Sequence, residues 1–162
     1  MGHGGNVIKE LTADHEEVEE LFGKIEALPP GEKSRKVYAD RVTMEFVRHW
    51  VAEKAYLYPA VRQYLDNGDA VADKEIDDQS KAERIMKDLE SHEADDAEFD
   101  RLVGLLMNEI RWHIAEEEEN LFPKLSVAAP AGALDDLGEK VRQAKKTAPA
   151  RPGPAAADKP PA

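Results

Sequence analysis

Two segments of the 162-residue chain share one ligand-shaped pattern. His49, Glu53, Leu57, Tyr58 and Pro59 read H-x3-E-x3-L-[YF]-P, and His113, Glu117, Leu121, Phe122 and Pro123 repeat it 64 residues later. On a helix, residues four apart lie on one face, one turn from each other. Imidazole and carboxylate are good donors to iron, manganese or zinc. Two such helices facing each other can hold two metal ions between them.

A single histidine on an apolar stripe is ordinarily a packing residue. Here three fall at stripe positions, His15, His49 and His113, and two of them carry a glutamate on the next turn. An unpaired carboxylate in a core costs on the order of 3 kcal/mol or more. Two that face each other also repel, and two cations remove both costs. The geometry predicts that Glu53 and Glu117 bridge the two ions, that His15 and His49 hold one, and that His113 holds the other.

The elements that must position these residues are helices. The 64-residue offset also aligns Leu21 with Ile85, Phe22 with Met86, Ile25 with Leu89 and Asp14 with Asp78. Two copies of a helix pair predict an all-α, up-down-up-down four-helix bundle over 6–126. Residues 127–162 are expected to add a short helix, 131–146, and a disordered Pro/Ala-rich tail. Helix A is expected over 6–28, with Asn6 as N-cap and Pro29-Pro30-Gly31 as its end. Helix B is expected over 34–65, bent at Pro59. Helix C is expected to start between Asp73 and Asp78 and end near Ser91, and helix D to run from Asp96 to about Phe122.

The repeat is imperfect where it matters most, because His15 maps onto Gln79. The second ion therefore needs another donor, and three candidates remain. Glu83 lies one turn after Gln79. Tyr56 lies three residues after Glu53, on the same face as His49 and Glu53. His92 maps onto Leu28 at a helix end, which places it near the turn between helices C and D, far from Gln79. Within the acidic run 116–119 only Glu117 shares the stripe of His113, so Glu116, Glu118 and Glu119 read as a solvated face. His3 lies in a Gly-rich start.

The bulk numbers exclude other classes. A net charge of −12 disfavours nucleic acid as a partner. The absence of cysteine removes disulfides, thiol chemistry and zinc fingers, and fits a cytoplasmic protein. Residues 1–6 contain no apolar signal segment, and no run approaches the roughly 18 apolar residues of a membrane span. A monomer or weak dimer is expected.

The doubled motif, with Asp14-His15 in helix A, resembles the hemerythrin-like family, the His-His-Glu cation-binding domain. The resemblance covers about Val7 to Leu125, with a weaker match over 134–146. It implies an up-down bundle holding two iron ions with an oxo or hydroxo bridge. Members of that family are associated with oxygen binding, redox sensing, iron regulation and peroxide chemistry. Oxygen-carrying hemerythrins supply two histidines from helix C, where this chain has Gln79 and Glu83. Anionic donors such as Glu83 or a Tyr56 phenolate stabilise ferric iron, which suits peroxide better than reversible oxygen carriage. The expected function is a di-iron oxidoreductase, catalase-like or peroxidase, acting on hydrogen peroxide, with a second small molecule such as nitric oxide as co-substrate and Tyr56 tuning the metal. The alternative is an oxygen-binding or redox-sensing module without turnover.

Overall fold

The computed structural model describes residues 4–148, which form helices and no strands. Helix α1 spans Val7–Ala27, and Asn6 caps it by accepting from Lys9 N–H at 3.0 Å. Helix α2 spans Ser34–Ala52 and continues through a π turn, Glu53–Leu57, into α3, Tyr58–Tyr64. Helix α4 spans Gly68–Glu90. Helix α5, Ala97–Glu116, is capped by Asp96 and continues through a second π turn, Glu117–Leu121, into α6, Phe122–Ala128. Helix α7 spans Ala131–Thr147.

Two hairpins, α1 with α2 and α4 with α5, build the bundle, and α3 packs on α4. Helix α7 lies against α1 and α2 and buries Leu134, Gly138 and Val141 there. At Gly138 a Cβ would stand 2.6 Å from the Gly5 carbonyl, so only glycine allows this approach.

Two expectations change. Helix α4 starts at Gly68, five or more residues earlier than the sequence pattern suggested. Asn67 takes a left-handed φ of 59°, and the chain turns back so sharply that a Cβ at residue 68 would lie 2.3 Å from the Val61 carbonyl. The first turns of α4 are too polar to announce themselves. They are tied down by Arg62, which donates to Asp69 and Asp73 at 3.1 and 2.6 Å. Long helix B is also not simply bent at Pro59. A proline ring clashes with the carbonyl four residues back and offers no N–H. The preceding turn widens instead, and Tyr58 N–H bonds the Glu53 carbonyl. Phe122 N–H bonds the Glu117 carbonyl in the same way ahead of Pro123. The L-[YF]-P motif is therefore a π-turn motif.

Candidate metal centre

Two apolar clusters fill the bundle, one around Phe22, Phe46, Trp50 and Phe99, the other around Leu11, Leu57, Tyr58 and Leu125. Between them every main helix interrupts its apolar stripe. Helix α1 brings His15, α2 and its π turn bring His49 and Glu53, α4 brings Glu75 and Gln79, and α5 with its π turn brings His113 and Glu117. All are at least 96% buried.

The side chains converge as two groups sharing one carboxylate. His15, His49 and Glu117 offer atoms within 4.8 Å of one another, and so do Glu53, His113 and Glu117. His15 Nε2 lies 3.1 Å from Glu117 Oε1, and His113 Nε2 lies 3.4 Å from Glu117 Oε2. Glu53 approaches both sides, 3.1 Å from His49 Nε2 and 3.7 Å from His113 Nε2.

Each histidine presents Nε2 inward because its Nδ1 is held by a carboxylate. Asp14 holds His49 at 2.8 Å, Glu118 holds His15 at 2.7 Å, and Glu75 lies 3.0 Å from His113 Nδ1. A carboxylate on Nδ1 fixes the tautomer and the ring and leaves Nε2 as the donor, the arrangement common behind metal-bound imidazoles. The His15 ring is further fixed between Phe46 and Phe122, nearly parallel to both.

The cluster calls for positive charge. Burial pulls the His49 pKa down, but Glu53 and Asp14 outweigh it, and it lies well above the ordinary 6.5. His113 is raised likewise against burial, by Glu117 first. His15 is raised by Glu117 and Glu118. Burial would push Glu117 up, yet His113 and His15 hold it well below 4.5.

The phenol at this level is Tyr58, not Tyr56. The Tyr58 hydroxyl donates to Glu53 Oε1 at 3.0 Å, and Gln79 Nε2 donates to Glu53 Oε1 at 2.8 Å and to the Tyr58 oxygen at 2.6 Å. Burial, then the charges of Glu53, Glu117 and Glu75, push Tyr58 well above 10, so it is a neutral donor here. Tyr56 lies instead among Pro59, Tyr64 and Leu137 in a surface groove under α7. The expectation assumed a regular helix, and the π turn rotates residue 58, rather than 56, onto the face of Glu53. Glu83 is buried but pairs with Lys54 at 3.2 Å and stands outside both groups. His92 lies in the α4–α5 turn, bonded to Asp96 at 2.8 Å, as the repeat implied. His3 falls outside the described residues. Glu118, read above as solvated, reaches back to His15. The sequence pattern assigned no site role to Tyr58, Glu75, Glu118 or Asp14. For Tyr58 the proline that follows was the available signal.

The donor set fits a metal pair. Among the described residues, His15 Nε2, His113 Nε2 and both Glu117 oxygens are buried without a hydrogen-bond partner. Leaving such atoms unsatisfied is costly, and all four point into one small volume where cations satisfy them together.

Comparison with known proteins points the same way. A family model described as hemerythrin HHE cation binding domain matches residues 6–125. An uncharacterized hemerythrin-like protein of Schizosaccharomyces pombe is 24% identical over 152 residues, covering 93% of this chain and 74% of that protein. A DNA nickase of a Nostoc species is 26% identical over 117 residues, covering 72% of this chain but 32% of that protein, so the chain spans about a third of it. The crystal structure of a hemerythrin HHE cation-binding domain-containing protein from Mycobacterium kansasii shares the fold, with a TM-score of 0.73 and 19% identity over 88% of this chain and 86% of that one.

Proposed function

The chain belongs to the hemerythrin HHE cation-binding family, and from that premise we propose that its buried cluster holds two iron ions and turns over small oxidants. Hydrogen peroxide is the first substrate, consumed in catalase-like or peroxidase fashion, with nitric oxide a second small molecule to be oxidised. The observation that carries this reading is Glu117, a fully buried carboxylate whose two oxygens face the Nε2 atoms of His15 and His113 at 3.1 and 3.4 Å without a well-formed hydrogen bond, between two groups of imidazole and carboxylate donors.

His15, His49 and Glu117 would hold one ion, and His113, Glu53 and Glu117 the other. Bound there, the iron supplies Lewis-acid and redox chemistry toward peroxide. Asp14, Glu118 and Glu75 keep the three Nε2 atoms inward. Gln79 and Tyr58 orient Glu53, and the Tyr58 hydroxyl is the nearest phenolic proton donor to that half of the site. Phe46 and Phe122 flank His15, Trp50 meets His113 edge-on, and these buried rings keep bulk water from the centre. Surface grooves of about 400 and 260 Å³ border it, one lined in part by His15 and the other by Glu75. Both stop at buried side chains, and a centre enclosed in this way suits small molecules better than organic substrates. The α4 side offers no imidazole, since Gln79 donates to Glu53 and Glu75 backs His113 Nδ1, and this departure from the histidine-bearing helix C of oxygen carriers favours turnover over oxygen storage.

The same reading takes the protein as cytoplasmic, a monomer or weak dimer, with small molecules as its partners and neither nucleic acid nor membrane. No helix among the described residues is long and apolar enough to cross a membrane.

Metal analysis and a visible spectrum on protein produced in iron-supplemented medium test the proposal, followed by peroxide consumption at an oxygen electrode. Two irons per chain, absorption between about 300 and 600 nm as the nitrogen–oxygen ligand set implies, and catalytic peroxide loss support it. Less than about half an iron per chain would point to zinc or manganese and end the peroxide mechanism. Iron that binds oxygen reversibly without turnover would give the site to oxygen binding or sensing.

A further inference from the structure

Helix α7 carries one charged side chain that the metal reading does not use. Lys145 is only 3% exposed. Burying such a group is expensive unless it is paired and fully hydrogen-bonded. Among the described residues its side-chain partners lie in α1. Its Nζ donates to Asp14 Oδ1 at 2.9 Å, to Asp14 Oδ2 at 3.0 Å and to Glu10 Oε2 at 2.5 Å. Asp14 Oδ2 is also the atom that holds His49 Nδ1. A continuous chain of contacts therefore runs from α7 to an imidazole of the centre.

We propose that Lys145 is a positioning residue for the metal centre, acting through Asp14 to hold His49 with its Nδ1 proton outward and its Nε2 toward the metal. The ammonium grips both Asp14 oxygens, so the carboxylate cannot rotate away from the imidazole. It also sets a positive charge beside Glu10 and Asp14, two buried carboxylates one helical turn apart. The local structure is built to deliver it. Gly138 lets α7 approach the start of α1, and Val141, one turn before Lys145, is fully buried there. Arg142 adds bonds to the Gly5 carbonyl at 2.8 Å and Glu10 Oε1 at 3.3 Å, but none to Asp14. Helix α7 is thus part of the metal site rather than an appendage of the bundle. The inference rests on the reading of His49 as a metal donor.

The test is titration of the full-length, metal-free protein with cobalt(II), whose visible bands report binding without redox chemistry. Four variants are compared with wild type, namely Lys145→Met, Asp14→Asn, the double variant, and Val141→Ala. Val141→Ala loosens the packing of α7 without touching the charges. Lys145→Met is expected to weaken binding about ten- to hundredfold, the range for residues behind a metal ligand. Asp14→Asn should weaken it similarly, and the double variant should be no worse than the weaker single one, because the two act in series. Val141→Ala should lower Tm and leave affinity within about twofold, since surroundings that touch no ligand leave the donor set intact. Lys145→Met binding as tightly as Val141→Ala would overturn the proposal. So would losses that add in the double variant, since Lys145 would then act by another route. Should Lys145→Met not fold, Lys145→Gln carries the same comparison. A wild-type protein that takes up no metal sinks the metal centre itself and this inference with it. Tight wild-type binding with unaffected variants removes this inference alone.

Discussion

Tyr58 bonds Glu53 twice, its backbone N–H to the Glu53 carbonyl and its hydroxyl to the Glu53 carboxylate, across a turn of five residues. A regular helix rotates residue i+5 well off the face of residue i, whereas a π turn brings it back. Tyr58→Phe should therefore disturb the centre, removing one hydrogen bond each from Glu53 Oε1 and Gln79 Nε2 and leaving only their bond to each other, at a cost of about 1–2 kcal/mol. The visible spectrum of the iron-loaded protein should shift in Tyr58→Phe and stay unchanged in Tyr56→Phe. The reverse pattern would return the phenol role to Tyr56.

The π turn itself can be tested at the proline. Pro59→Ala supplies the missing N–H and allows an ordinary turn, which rotates Tyr58 and Glu53 relative to each other. Metal-free Pro59→Ala should be as stable as wild type or more so, since a proline inside a helix costs about 3 kcal/mol. Its metal affinity should fall at least tenfold, the scale set by supporting residues of metal sites. Thermal melts with and without metal separate the two effects, and undiminished affinity would mean the π turn is incidental.

Stability without metal should run against pH in a definite sense. His15, His49 and His113 have folded-state pKa values above 6.5. Their protonation stabilises the metal-free fold fully below pH 6.5 and stops doing so as pH rises through those raised values. The metal-free Tm should fall as pH increases above 6.5. Metal affinity should rise over the same window, because the ions displace these protons. Asp14 governs the acid side. Burial would raise it, but His49 and Lys145 hold it at about 2, so its stabilisation is present above the ordinary 3.8 and is lost as pH falls through 2. Calorimetry of chelated and loaded protein across these ranges checks both arms, and a metal-free Tm that climbs with pH would contradict the first.

Removing metal should cost stability at any pH where it binds. At a hundredfold excess over Kd, one ion contributes about 2.7 kcal/mol, which for a chain of this size is on the order of 5–10 °C in Tm. Chelation that leaves Tm unchanged would return the cluster to a purely structural role.

Glu117→Gln should be the most damaging single change to binding. Glu117 is shared by both donor groups, so its loss should lower the metal content below one ion per chain, read by elemental analysis after dialysis. Glu83→Gln, by contrast, should leave stoichiometry unchanged, because Glu83 faces Lys54 rather than the centre.

Much of this protein is written in its sequence. The histidines and glutamates recur at a fixed offset inside apolar stripes, and a stripe that carries His and Glu four apart can belong only to a helix face. That spacing predicted the all-α fold and brought His15, His49, Glu53, His113 and Glu117 to one place. The reason is local, since the 3.6-residue period decides what shares a face before any partner is known. Tertiary structure decided what that period cannot. A π turn changes the phase of everything after it, so Tyr58 and not Tyr56 meets Glu53. A carboxylate is solvated or buried according to what lies opposite. Asp14, Glu75 and Glu118 therefore became partners of three imidazoles only when other helices arrived, and Lys145 joined them from the far end of the chain. In the sequence they are surface charges like their neighbours, and only packing gives each of them a particular partner.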